Sequence, residues 1–220
     1  MTPVLLSVIA IVAYLFGGIN GSVLVSNRVF HKDVRRHGSR NASYANFVQV
    51  FGSRWGLAVI AVDVAKTAIP ALLGMLLMNI PGTGYPKIGV LFAGFCTVLG
   101  DCYPWRYRFK GNLGVTCCAT ALCLVDWRVG AIALVFYGVA LAFSRIVSFA
   151  GLVLCTAGPI LCWCFVPSTQ LRGIAGLLAL FMACVIAFRQ RAAIGRLITG
   201  REAHVRLGRQ ASDRMTGEDF

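Results

Sequence analysis

The sequence predicts an all-α membrane protein, a polytopic bundle of about seven transmembrane helices, and three observations predict it. Of 220 residues, 58% are hydrophobic and only 13% charged. A mean hydropathy of +0.75 implies more apolar surface than a water-soluble domain of this length could cover. The charged residues fall between apolar runs rather than along one helix face. The formal net charge of +13 would suggest nucleic acid in a soluble protein, but this placement follows membrane topology instead, so no nucleic-acid partner is expected.

A membrane-spanning helix needs roughly 20 predominantly apolar residues. The first run, 4–25, has no basic stretch before it and no clean small-residue cleavage site after it, so it reads as a retained helix rather than a signal peptide. Within it, Gly17 and Gly21 form a small-residue face suited to close helix packing. Further runs follow at 55–78, 86–104, 113–125, 129–143, 149–166 and 171–188. The runs 113–125 and 129–143 are short, which leaves open a hairpin that does not fully cross, or five or six spans. Placing the N-terminus outside puts 28–54, 105–112, 144–148 and the tail from 189 on the inner side, with 17 of the 21 Lys and Arg residues. Lys87, Arg128 and Arg172 fall in the outer turns. Basic residues near helix ends resist translocation, so the asymmetry sets the N-terminus outside and the C-terminus in the cytoplasm. Residues 1–208 form one transmembrane domain without an internal repeat, and 209–220 a polar tail.

Nine cysteines are present, an odd number, and Cys96, Cys117, Cys118, Cys123, Cys155, Cys162, Cys164 and Cys184 lie inside apolar runs. They read as small hydrophobes. His31, His37 and His204 all lie outside those runs, so neither a disulfide framework nor a metal site is expected.

Four polar stretches interrupt the apolar pattern on the inner side. Residues 33–46 form a loop rich in backbone donors, hydroxyls and amides, which suits either an oxyanion cradle or an ordinary basic inner loop. Asp63 and Lys66 place opposite charges at i and i+3 on one face of an apolar helix. Such groups at membrane depth face the bundle or a wet cavity, as a ligand site or as an ion pair pinning two helices. Residues 100–114 end one helix and open the next, and Gly111 and Gly114 with Lys110 beside them would turn backbone donors and a positive dipole end toward an anion. Arg145 and Ser148, then Arg191 and Arg196, supply groups that recognise phosphate or serve topology alone. No Ser-His-Asp order, close carboxylate pair or Gly-Lys-Ser/Thr phosphate loop is present, so no catalytic acid or base is assigned. Chemistry that needs only positioning and anion stabilisation, such as acyl transfer from a phosphate-activated donor, fits these residues.

In their order, these stretches resemble the PlsY family, bacterial membrane acyltransferases that move a fatty acyl group from acyl phosphate to glycerol 3-phosphate. The resemblance runs from about residue 15 to 208. Asp33, Arg35, Gly38, Ser39, Asn41 and Asn46 match the family's first loop, and Asp63 and Lys66 its next helix, with Thr67 in place of a glycine. Gly100, Pro104, Phe109, Lys110, Gly111, Gly114 and Val115 match the third motif, Arg145 and Ser148 the fourth. Arg191, Ile194, Arg196, Leu197, Gly200 and Glu202 match the last. This chain departs from the family pattern with Asp101 for His, Leu113 for a second Lys, Gln49 for Arg, and Gln190 and Ala193 for His and Asn.

The resemblance implies that Ser39, Asn41, Lys110, Gly111 and Gly114 hold acyl phosphate, with Asn46 in the same loop motif. It implies that Lys66, Arg145, Ser148, Arg191 and Arg196 bind or orient glycerol 3-phosphate, giving lysophosphatidate for phospholipid synthesis. It also implies a bacterial inner membrane location with a cytoplasmic active face, membrane lipid around the protein, and neither cofactor nor metal. Two other classes stay open. A catalytically degenerate relative would bind an anionic lipid or metabolite or scaffold a partner, consistent with the replaced His and Lys, and a small transporter would use buried Asp63 and Lys66.

Overall fold

The computed structural model describes residues 2–38, 40, 42–80, 85–109, 111–166 and 169–198, all helical or irregular with no strand among them. Among the described residues ten α-helices follow in chain order: α1 (Thr2–Gly17), α2 (Gly21–Val29), α3 (Tyr44–Phe51), α4 (Ser53–Leu77), α5 (Pro86–Cys102), α6 (Val115–Val125), α7 (Trp127–Ser144), α8 (Val147–Phe165), α9 (Thr169–Arg189) and α10 (Arg191–Ile198). The expected tail lies outside the described residues.

Every apolar run becomes helical, but two differ from a simple span. The run 4–25 breaks into α1 and α2, bent by 46°. Asn20 makes the break. Its backbone is extended, and its side-chain oxygen accepts the Val23 N–H at 3.0 Å to cap α2. The run 113–125 gives α6, whose 11 residues at 1.5 Å rise reach about 16 Å, short of a bilayer core of about 30 Å. A left-handed Gly114 (φ +76°) starts it and an extended Asp126 ends it, so neither end can lengthen. The described residues therefore hold five helices long and apolar enough to cross, α4, α5, α7, α8 and α9, or six with the bent α1–α2 pair.

Helix α5 is the axis of the bundle and the most enclosed of these five. It packs against α1, α4, α6 and α9, while α8 joins α7 to α9. Gly17 and Gly100 let α1 and α5 approach backbone to backbone, because a Cβ on Gly100 would meet the Tyr14 carbonyl and stand 3.0 Å from Gly17 Cα. The main core gathers Ile9, Leu91, Leu122, Leu154, Met182 and Ile186 with the buried cysteines Cys102, Cys117, Cys118, Cys155 and Cys162. These cysteines are free thiols, filling space as expected.

The helix ends separate by charge. At one end Lys87 Nζ lies 3.2 Å from Asp126 Oδ2, tying the start of α5 to the α6–α7 corner. The other end carries most of the basic loops and a second apolar cluster of Val23, Val25, Val34, Ala42, Phe47, Phe51 and Val59. Phe30 stacks on Phe51 with ring centroids 4.4 Å apart, so the segment between α2 and α4 has a core of its own.

Close packing at the α1–α5 crossing carries a stability prediction. Gly100→Val should lower the unfolding free energy in detergent by about 1–3 kcal/mol, the usual cost of overpacking. Gly138→Val, at a site with no neighbour within 4 Å, should leave the unfolding temperature unchanged. Equal melting of the two variants would contradict this packing.

Candidate functional site

Two interruptions of regular helix meet at the loop-rich end. The first is the α1–α2 break, which leaves the Ile19 carbonyl without a helical partner. The second is the segment from Tyr103 to Gly114, which joins the end of α5 to the start of α6. Between them lies one face of α4.

On that face Lys66 sits 3% exposed, its ammonium 2.6 Å from Asp101 Oδ1, 2.7 Å from Asp63 Oδ1 and 2.9 Å from the Ile19 carbonyl. The ammonium donates to Asp101 Oδ1 and to the Ile19 carbonyl, and Asp63 pairs with it by charge. Asp63 and Asp101 are each 2% exposed. An isolated charge at this depth would cost several kcal/mol, and mutual pairing offsets that penalty. Lys66 was expected to meet substrate; the contacts it makes here are with Asp101, Ile19 and Asp63.

The carboxylates carry the arrangement outward. Asp101 Oδ2 accepts the Gly114 N–H at 3.0 Å, and its carbonyl accepts the Asn112 N–H at 2.9 Å. Asn112 Nδ2 stands 3.5 Å from Asp63 Oδ2. The Gly111 carbonyl accepts a bond from Arg189 Nη2 at 2.7 Å, which ties the segment to the end of α9. Gly111 leaves no space for a Cβ, since the Asp101 carbonyl and Pro104 lie against it.

A cleft of about 100 Å³ opens beside this segment, lined by Tyr44, Ile60, Asn112, Leu113, Gly114, Val115, Thr116, Tyr137 and Val147. It is bounded by α3, α4, α7, the start of α8 and the first turn of α6. No side chain caps α6. Its opening turn therefore presents free N–H groups and a partial positive charge at the cleft wall.

The first loop is shaped by Asn46 and Asp33. Asn46, 1% exposed, donates from Nδ2 to the Val34 and His37 carbonyls at 3.1 and 3.2 Å. Asp33 forms a two-point pair with Arg35 (Nη2 to Oδ2 2.7 Å, Nε to Oδ1 3.0 Å), and Arg35 lies 5.0 Å over the Tyr107 ring. That contact joins the first loop to the turn after α5.

The expected residues therefore separate into groups. Gly111, Gly114 and Lys66 come together in one network, with Asn46 setting the adjoining loop. Arg145, exposed, ends α7 in a left-handed conformation (φ 54°), and half-buried Ser148 stands in the first turn of α8 beside the cleft residue Val147. Arg191 is exposed and packs 4.9 Å over the Phe188 ring at the α9–α10 junction. Ser39, Asn41 and Lys110 lie outside the described residues, and of Arg196 only the backbone, in α10, is described. Among the described residues no group of three or more His, Cys, Asp or Glu side chains is placed to hold a metal ion. Tyr44, Asn112, Thr116 and Arg189 enter the site without having been singled out as site residues from sequence. Tyr44 lay in the first polar stretch, Asn112 between Gly111 and Gly114, and Thr116 just after them, while Arg189 carried no functional signal.

Comparison with known proteins agrees with this architecture. Residues 7–200 match the glycerol-3-phosphate acyltransferase family. Glycerol-3-phosphate acyltransferases from Methylococcus capsulatus and Shouchella clausii are similar at 32% identity (89% of this chain, 93% of that protein) and 31% identity (86% and 90%). The one from Finegoldia magna is 28% identical over 92% of this chain and 98% of its own length. The crystal structure of PlsY (YgiH), an integral membrane glycerol 3-phosphate acyltransferase in its glycerol 3-phosphate form, superposes with a TM-score of 0.77 at 24% identity, covering 97% of this chain and 99% of that one. Its lysophosphatidic acid form gives 0.76, with 96% and 98% covered.

The Arg35 guanidinium holds the Asp33 carboxyl below its ordinary value of 3.8. A carboxylate whose value is lowered on folding stabilises the loop above the unfolded value, and that contribution is lost as pH falls through the folded one. The protection factors of the amides of residues 34–37, taken against the intrinsic exchange rate at each pH, should therefore fall in acid. In Asp33→Asn they should already be low at neutral pH and change little with acid; an acid limb that persists in the variant would assign it elsewhere.

Proposed function

This chain belongs to the glycerol-3-phosphate acyltransferase family, the PlsY family, and we propose that it forms lysophosphatidate by moving a fatty acyl group from acyl phosphate to glycerol 3-phosphate at the cytoplasmic face of a bacterial inner membrane. Acyl transfer to glycerol 3-phosphate is its activity in phospholipid synthesis. The observation that supports the finer reading is that one cleft draws on three separate polar stretches: Tyr44 from the first, Asn112 to Thr116 from the third, and Val147 from the corner that holds Arg145 and Ser148.

The chemistry asks for little acid–base assistance. The glycerol hydroxyl oxygen bonds to the acyl carbonyl carbon, the carbon–oxygen bond to phosphate breaks, and the leaving phosphate takes up the hydroxyl proton. Phosphate is already a good leaving group, so the protein's task is to align the two substrates and stabilise the growing negative charge. The uncapped first turn of α6 suits the acyl phosphate, as helix N-termini suit anions generally. Ser39, Asn41 and Lys110 belong to the same donor set by motif. Arg145, Ser148, Arg191 and Arg196 are assigned to glycerol 3-phosphate, since guanidinium groups bind phosphate through paired hydrogen bonds. Lys66 is assigned to the support of the site, and Asn46 to the shape of the first loop.

Orientation follows from charge: Arg28, Arg35, Arg36, Arg54, Arg106, Arg108 and Arg145 share the loop-rich end, and Lys87 and Arg128 the other. We assign the basic end and the C-terminus to the cytoplasm and the N-terminus to the outside, an arrangement in which α6, despite its length, carries the chain from the loop-rich end to the corner at Asp126.

The purified protein, given acyl phosphate and glycerol 3-phosphate, should yield lysophosphatidate and inorganic phosphate. Arg145→Ala should lower kcat/KM by roughly ten- to hundredfold, the worth of hydrogen bonds to a charged group. Product from acyl thioester but not from acyl phosphate would overturn the donor assignment, and no product from well-folded protein would leave a binding role instead.

A further inference from the structure

We infer that Asp101 is a positioning residue for this reaction, acting with Lys66 as one unit that seats the first turn of α6 in the cleft. The inference rests on the acyl-transfer reading above.

Two donors face the Asp101 carboxylate, the Lys66 ammonium at 2.6 Å from Oδ1 and the Gly114 N–H at 3.0 Å from Oδ2. At 2% exposure, Asp101 leaves little room for water to replace either bond. Only a side chain with two acceptor oxygens and no donor satisfies both neighbours. Asparagine offers one oxygen, so its amide NH₂ would face either the ammonium or the Gly114 N–H. Neutral histidine, which the family pattern places at this position, offers one acceptor nitrogen and one N–H, and protonated histidine offers no acceptor. The carboxylate is therefore specific to this chain's arrangement and not an interchangeable replacement.

The main chain adds to the grip. The Asp101 carbonyl accepts the Asn112 N–H at 2.9 Å, and the Cys102 carbonyl accepts the Gly111 N–H at 3.3 Å. Residues 111–114 are thus held by the last turn of α5 through three backbone N–H groups. Gly114 then turns left-handed and directs α6, with Thr116 and the side chain of Asn112, to the cleft wall. Lys66 supplies the positive charge that allows a carboxylate to stand beside this segment. Loss of either partner frees the segment, and a displacement of about 1 Å at a reacting centre costs on the order of a hundredfold in rate.

The test uses the full chain in detergent. In the unaltered protein, the amides of Asn112 and Gly114 should exchange slowly although they lie outside a helix; fast exchange there overturns the proposal. Asp101→Asn and Asp101→His should each lower kcat by roughly a hundredfold, with the KM for glycerol 3-phosphate moving far less. Exchange should quicken over 111–117 while α8 and α9 keep their protection. Lys66→Met together with Asp63→Asn removes the ammonium and its other carboxylate partner; adding Asp101→Asn to that pair leaves the asparagine oxygen free for the Gly114 N–H and should recover part of what Asp101→Asn alone loses. An Asp101→His protein as active as the parent, or effects of Asp101→Asn and of that pair that simply multiply, would refute the unit. If the parent itself forms no lysophosphatidate, the acyl-transfer reading fails, and with it the kinetic role. The exchange pattern then reports separately whether Asp101 seats the segment.

Discussion

The loop-rich end of this molecule is organised around one buried ammonium. Lys66 meets oxygens from α4, from the end of α5 and from the break between α1 and α2. Each oxygen belongs to an element that apolar contact alone would leave free to slide or rotate. An ammonium stripped of water tolerates little displacement of its partners, because every lost contact exposes an unsatisfied charge in a poorly solvated interior. The helices are bundled by shape and by lipid, but their register at this level is fixed by charge.

Irregular backbone within a membrane bundle persists only where protein covers its polar groups. Two such segments occur here at the same level, the α1–α2 break and the residues before α6, and the Lys66 network serves both. The shortness of α6 follows from the same economy of polar groups. Because its first turn starts in a segment held by Asp101, the helix need only run from there to the opposite corner at Asp126, where Lys87 closes the far end. The exposed start of α6 and its truncated length are thus two views of one feature.

How much of this was legible in the sequence depended on distance along the chain. Hydropathy is a local quantity, and all seven apolar runs are indeed helical. The break at Asn20 was masked because the window from 4 to 25 is apolar on average, although Gly17, Gly18, Gly21 and Ser22 flank the capping amide. Asp63 and Lys66 could be placed on one face by helical spacing. Their link to Asp101, 35 residues beyond Lys66, is a matter of how α4 meets α5, which no local pattern encodes. The same holds for Arg189 reaching Gly111 across 78 residues. Motif order located the stretches that line the cleft, whereas the direction in which Lys66 spends its donors required the packed structure.

The aromatic cluster beneath the first loop carries a consequence of another kind. Phe30, Phe47 and Phe51 give the segment between α2 and α4 an apolar interior, and Asn46 stitches its turns from within. A rim already folded before a ligand arrives has no chain entropy left to surrender on capture. For the proposed anionic substrates, encounter at this mouth would then be governed by diffusion and by the electrostatic pull of its arginines, so the speed of capture should respond to ionic strength more than to any refolding of the rim.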